Sequence, residues 1–312
     1  MNLAYWLNFS TADVLSISRS PMRPAPFTLG NESCQQFRYE QAHLVTELPR
    51  IMRLLDDFEP EVIVNFAALC EVGLSWNHAL DYYETNLISL VRLTDELAKR
   101  SWFRKFVQIG SSEVYGSVDS PASETAPLRP SSPYATSKAA FDCHLNSIAR
   151  HQAFPAVIVM PSNGYCEGQT LNRIIPRAII AAKTGAKLKL QGGGKARKSY
   201  LHADDISSAI RLCADKGVLG EVYNCGPENS TSIYEVVEAV AQRFGKTVED
   251  IAEVAPERTG QDAQYLLDST KIKALGWHGE TISLERGIRR MVAWFDKYPE
   301  LLTMDSTYRH RP

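Results

Sequence analysis

Tyr134 and Lys138 stand four residues apart, in a stretch that opens with Ser132-Pro133 and runs to about His151. Serine before proline is a helix-start signal. On a helix, that spacing brings both side chains out on one face, within reach of each other. A lysine cation beside a phenol favours the phenolate and draws a pKa of about 10 toward the range of a general base. Read alone, the pair is more often a tyrosine and a lysine on a solvated helix face. A second segment changes that balance. Gly110-Ser111-Ser112-Glu113-Val114-Tyr115-Gly116 follows an apolar stretch starting at Arg104. If that stretch is a strand, two hydroxyls and a carboxylate sit at the carboxyl edge of a sheet, where open α/β sheets bind ligands. The alternative is a polar strand exit and turn.

The elements that must position these groups follow from periodicity. Short β-branched or aromatic bursts at Asp13–Ile17, Val62–Phe66, Arg104–Ile109 and Ala156–Met160 alternate with amphipathic stretches. This predicts a doubly wound parallel sheet, an α/β fold of Rossmann type. The longest predicted helix runs from about Ala79 to Arg100, with Tyr83, Leu87, Leu90, Val91 and Leu97 on one buried stripe. After residue 165 come Ile174–Lys183, a strand-like Lys187–Leu190 and the run Gly192-Gly193-Gly194. Two further helices are predicted near Ile233–Phe244 and Ser283–Tyr298. Residues 1–165 are expected to form the dinucleotide-binding domain. Residues 166–312 are expected to be mainly a substrate domain, with 196–225 returning to the first.

Composition narrows the partners. In 312 residues, 34 Lys and Arg face 36 Asp and Glu, a net charge of -2, so no basic field draws nucleic acid or anionic lipid. With 44% hydrophobic and 22% charged residues, the chain has the composition of a globular protein. Cys34, Cys70, Cys143, Cys166, Cys213 and Cys225 are scattered, with no CxxC and no histidine at zinc spacing; reduced thiols, no metal and a cytoplasmic location are expected. No apolar run has membrane-spanning length, and the first ten residues do not read as a signal peptide.

Gly110–Gly116 and Pro130-Ser-Ser-Pro-Tyr134-Ala-Thr-Ser-Lys138 together resemble the extended short-chain dehydrogenase/reductase family that acts on nucleotide sugars. Glu257-Arg-Thr-Gly-Gln-Asp-Ala-Gln-Tyr265 and Asp268–Trp277 are similar to the C-terminal signature of its dTDP-glucose 4,6-dehydratase branch. The resemblance implies internal redox: oxidation at C4 of a hexose, loss of water across C5 and C6, and return of hydride to C6. It implies Tyr134 as the base, Lys138 as its tuner and holder of the nicotinamide ribose, Ser111 on the C4 oxygen and Glu113 on the C5 proton. Ser112 falls where dTDP-glucose dehydratases carry aspartate; GDP-mannose 4,6-dehydratases and UDP-glucuronate decarboxylases have serine there. Asn65–Ala68 resembles the loop beneath the cofactor, with Ala67 and Ala68 against it, Thr85-Asn86 the helix that follows, and Pro161–Tyr165 the turn touching nicotinamide and substrate. Asn163, Arg173, Arg197 and Arg258 are implied for the nucleotide and its diphosphate; for Arg173 and Arg258 a surface salt bridge is the competing reading. A homodimer through helices near 80–100 and 134–151 is implied as well.

Two features depart from that pattern. Met160 stands where the dehydratases have arginine. The family also opens with a strand and a Gly-x-x-Gly-x-x-Gly turn whose amides approach the cofactor pyrophosphate, whereas the only glycine before Gly73 is Gly30 and Asn2–Leu7 reads like the helix after that turn. A missing first strand and phosphate loop are therefore expected. A misassigned start, a truncation and a paralogue that gave up the cofactor are the three readings. Cofactor choice falls on Ser16-Ile17-Ser18-Arg19-Ser20, which has no acid for the NAD ribose and offers Ser18 and Arg19, leaving NAD or NADP. The alternatives to dehydration are an epimerase, a 4-ketoreductase or a decarboxylase of the same family, or a noncatalytic sugar-nucleotide-binding paralogue.

Overall fold

The structure, a computed structural model, describes residues 13–23, 25–27, 37–257, 260, 262–308 and 310. The expected helix at Asn2–Leu7, Cys34 and Arg258 lie outside the described residues.

Strands β1 (Val14–Ser18) and β2 (Phe37–Gln41) pair in parallel. Strands β3 (Val62–Asn65), β4 (Lys105–Ile109), β5 (Ala156–Pro161) and β6 (Val222–Cys225) form a second parallel sheet in the order β6-β5-β4-β3. Alternation along the central strands explains the winding. Phe106, Ile158 and Met160 point into one core with Phe141 and Leu145, whereas Val107, Ile109, Val157 and Val159 point into another with Leu201, Ile206 and Ile210. Strands covered on both faces read as continuous apolar runs. The first core is closed by the helix Pro133–Gln152 and the second by Ala203–Lys216, each about as long as a crossover needs. Burying a phenylalanine such as Phe106 or Phe141 contributes roughly 1.5–3 kcal/mol.

The predicted helix over Ala79–Arg100 is interrupted. It runs as Ala79–Tyr83, a wider π turn at Glu84–Ile88, and Ser89–Leu97. A third core, of Ile175, Ile179, Val236, Val237, Val240, Trp294 and Phe295, joins helices Ile174–Thr184, Ile233–Gln242 and Leu284–Lys297 beyond the sheet.

The parallel sheet is split. β1 and β3 do not pair, and among the described residues no strand stands between them. Their side chains show the consequence. β4 is buried along four of its five residues, but Val62 of β3 is 42% exposed, and Leu15 and Ile17 of β1 are only partly buried.

Candidate active site

The base pair of residues is set by the start of its helix. The Ser132 hydroxyl accepts the Ala135 amide at 3.1 Å and Pro133 supplies the first turn, so the helix begins one residue before Tyr134. Tyr134 is buried, with its ring edge-on to Tyr82 at 6.3 Å. Tyr82 in turn donates to the Glu71 carbonyl at 2.5 Å. The floor opposite is fixed by Asn86. Its side chain accepts the Leu69 amide at 2.8 Å, and donates to the Leu69 carbonyl at 3.0 Å and to the Ser137 hydroxyl at 2.9 Å. This ties the loop after β3 to the helix that carries Tyr134. Asn65 ties the same loop to β4: its amide donates to the Gln108 side chain at 2.8 Å, and its oxygen accepts the Ala67 amide at 3.1 Å.

At the end of β4, Gly110 leaves no room for a side chain, because a Cβ there would stand 2.2 Å from the Met160 Sδ. Ser111 caps the short turn Ser112–Tyr115, its hydroxyl accepting the Glu113 amide at 3.3 Å. Gly116 ends that turn at φ 68°, where a Cβ would meet the Arg129 carbonyl at 2.3 Å.

Ser111, Ser112, Glu113 and Tyr134 line one cleft of about 1430 Å³ at the carboxyl edge of the strands, together with Ser18, Arg19, Ala67, Ala68, Pro161, Asn163 and Arg173. The same cleft runs down between Leu15 and Ile17 on one side and Val62, Ile63 and Val64 on the other, into the split of the sheet. Asn163 offers a buried Oδ1 with no hydrogen-bond partner. Arg173 donates to the Cys70 Sγ at 3.2 Å and lies 3.6 Å from Glu71.

Three expectations are corrected or left aside. Lys138 does not line the cleft: it is buried and donates to the Ile109 carbonyl at 2.6 Å, and burial lowers its pKa. The Tyr134 phenol is not lowered toward neutrality. Burial raises its pKa, and the Glu113 charge adds to that, while the Ser111 hydrogen bond and the Arg173 charge oppose it. The charges that act on the phenol are those of Glu113, Cys70 and Arg173, not the Lys138 cation that spacing alone predicted. Arg197 is turned away from the cleft wall, its guanidinium bonded to the Ser230 hydroxyl at 3.1 Å, the Ser230 carbonyl at 2.6 Å and Glu235 at 3.3 Å; Lys198 lines the cleft instead.

Sequence reasoning missed several groups. Asp142, one turn beyond Lys138, is buried, and burial pushes its pKa up to about 6 against the Lys138 charge and a Gln108 hydrogen bond. Its place at i+4 from Lys138 was the available signal. Cys70 and Tyr308 also line the cleft. Away from it, His202, Glu167, Arg290 and Asp204 form an ion-pair network at 2.6–3.5 Å.

A parallel sheet wound on both faces, with a tyrosine, a serine and a glutamate converging at its carboxyl edge, defines a Rossmann-type enzyme of the extended short-chain dehydrogenase/reductase class. The family described as GDP-mannose 4,6 dehydratase matches residues 31–291, and this chain belongs to it. It is 32% identical over 274 residues to a dTDP-glucose 4,6-dehydratase of Haemophilus influenzae, covering 80% of each chain. It is 28% identical over 244 residues to a trifunctional UDP-glucose 4,6-dehydratase, epimerase and reductase of Arabidopsis thaliana, covering 77% of this chain but only 36% of that longer protein. Among solved structures, a dTDP-glucose 4,6-dehydratase of Bacillus anthracis in complex with NAD superposes with a TM-score of 0.84 at 28% identity, covering 94% of this chain and 91% of that one. No helix among the described residues is long and apolar enough to cross a membrane.

Proposed function

We propose that this chain is a nucleoside-diphosphate-sugar 4,6-dehydratase working with NAD, and that the convergence of Ser111, Glu113 and Tyr134 on one cleft carries the reading. Both relatives and the NAD complex named above support it. When bound, the nicotinamide accepts a hydride and later returns it. Tyr134 is placed to take the C4 hydroxyl proton once its phenol is ionised, which burial opposes and the Ser111 hydrogen bond and Arg173 charge favour, and Ser111 holds the C4 oxygen. A ketone at C4 makes the C5 hydrogen acidic, and Glu113 takes that proton. Ser112, next to Glu113 on the same short turn, offers its hydroxyl toward the departing C6 oxygen. Asn163 and Arg173 face the nucleotide, where an arginine offers forked donors to phosphate.

The cleft fits NAD at its two ends. Ser18 and Arg19 stand at the end of β1 for the adenosine ribose, and Ala67, Ala68 and Pro161 leave a shallow bed on the way to Tyr134. For the pyrophosphate between them, the described residues provide no glycine-rich turn. That gap supports the second reading, a sugar-nucleotide-binding protein without turnover. The Lys138 ammonium has three donors, of which one is on the Ile109 carbonyl and two are left for the ribose. A homodimer and a cytoplasmic location belong to the same proposal, on the resemblance and composition respectively. So does a division near residue 165, with the separate core of the C-terminal helices in its support.

Solvent exchange tests the reaction. In heavy water with NAD and dTDP-glucose, UDP-glucose or GDP-mannose, the product is expected to carry one deuterium at C5, and Glu113→Gln to abolish its formation. A 4-epimer formed without deuterium at C5 contradicts dehydration, and binding without turnover supports the second reading.

A further inference from the structure

The C-terminal segment returns to the cleft. Ser306, Thr307 and Tyr308 line it, and two residues later His310 packs on the helix that starts at Ala79. There, His310 Nε2 lies 2.8 Å from Asp81 Oδ2, and His78 Nδ1 lies 3.6 Å from the same oxygen. The two imidazoles stack at 4.0 Å between centroids, and the three ligand atoms all fall within 4.8 Å of one another. His310 also lies parallel to the ring of Tyr82 at 6.0 Å, and Tyr82 touches Tyr134.

Two imidazoles and one carboxylate are a ligand set for zinc(II). Tetrahedral zinc holds nitrogen and oxygen donors at roughly 2.0–2.2 Å, which places the donors about 3.4 Å apart. The His310–Asp81 and His78–Asp81 pairs, at 2.8 and 3.6 Å, straddle that spacing and the third lies within 4.8 Å; turning one imidazole out of the stack brings both in-plane lone pairs onto one ion. A neutral imidazole is the form that binds metal. Asp81 and His78 are partly exposed, with side-chain exposures of 36% and 40%, which gives an ion a path in. The His310 Nδ1 makes no hydrogen bond, so the Asp81 carboxylate is the ring's polar anchor.

We infer that His78, Asp81 and His310 form a zinc(II) site with water in the fourth position, which fastens the C-terminal segment beside the cleft. His78 and Asp81 are three residues apart, but His310 is 229 residues from Asp81. No spacing rule could reveal the site.

The test uses the full chain without an affinity tag. Calorimetric titration with zinc chloride at neutral pH is expected to show one site per chain, and His78→Gln and His310→Gln each to weaken it about tenfold or more. Cobalt(II) is expected to give the visible absorption of a tetrahedral site in the wild type and to lose it in both variants. Zinc is also expected to slow tryptic cleavage after Arg309 in the wild type and not in His78→Gln, whose C-terminal sequence is intact. Failure of the wild type to bind zinc overturns the inference. So does binding that both variants retain unchanged, or cleavage that zinc does not slow.

Discussion

Asp142 gives a prediction whose size and sign both come from the structure. Its carboxyl is enclosed and titrates near 6 instead of the ordinary 3.8, with burial as the leading cause and the Lys138 charge and a Gln108 hydrogen bond opposing it. A folded pKa raised above the unfolded value means that the unfolded chain ionises first as pH rises. The folded state therefore loses stability from about pH 4 to about pH 6 and stays lower above that. A shift of about two units corresponds to about 3 kcal/mol. Asp142→Asn keeps the shape and removes the ionisation. Relative to wild type, the variant is expected to gain roughly 3 kcal/mol between pH 4 and pH 7, whatever its offset at pH 4. Urea unfolding of both proteins, followed by tryptophan fluorescence at half-unit pH steps, measures that difference. A gap that does not change with pH, or one that moves in favour of the wild type as pH rises, refutes the account of a carboxyl whose burial outweighs its partners.

Tyr134→Phe removes the proposed base and is expected to lower kcat by about 10²–10⁴-fold with little change in the unfolding midpoint, measured on the nucleotide sugar that proves active. Asn86→Ala strips the Leu69 amide and carbonyl and the Ser137 hydroxyl of a buried partner, and urea unfolding is expected to show a loss of about 2–4 kcal/mol. Burial alone would raise the Glu167 pKa, but its bonds to His202, its own backbone and Arg290 outweigh that and bring it to about 2. Its stabilisation is complete above about pH 4.5 and fades as pH falls toward 2, so Glu167→Gln is expected to cost a few kcal/mol at pH 7 and much less at pH 2.5, by the same assay.

What was legible in the sequence was local. Ser132-Pro133 announced a helix because capping and a fixed proline φ act within one turn, and the Tyr134–Lys138 spacing placed two side chains on its face. The strands β1, β3, β4 and β5 were readable from apolar runs bounded by polar residues, to within a residue or two. β2, with Arg38 and Glu40 paired on it, carried no such run and was missed. The π turn at Glu84–Ile88 has no composition of its own. Side-chain destinations were not legible either. Lys138 and Arg197 each had a nearer partner than the cleft, Ile109 in one case and Ser230 with Glu235 in the other. Those partners come from strands and loops far along the chain, which spacing cannot bring together.

The central claim is that this cleft dehydrates a nucleotide sugar. Mass spectrometry after incubation of the chain with NAD, NADP and a panel of dTDP-, UDP-, GDP- and CDP-hexoses tests it most directly. The account predicts a product lighter than one of these substrates by one water, formed with NAD. A product of unchanged mass, or none while the sugar nucleotide and NAD are both shown to bind, contradicts it.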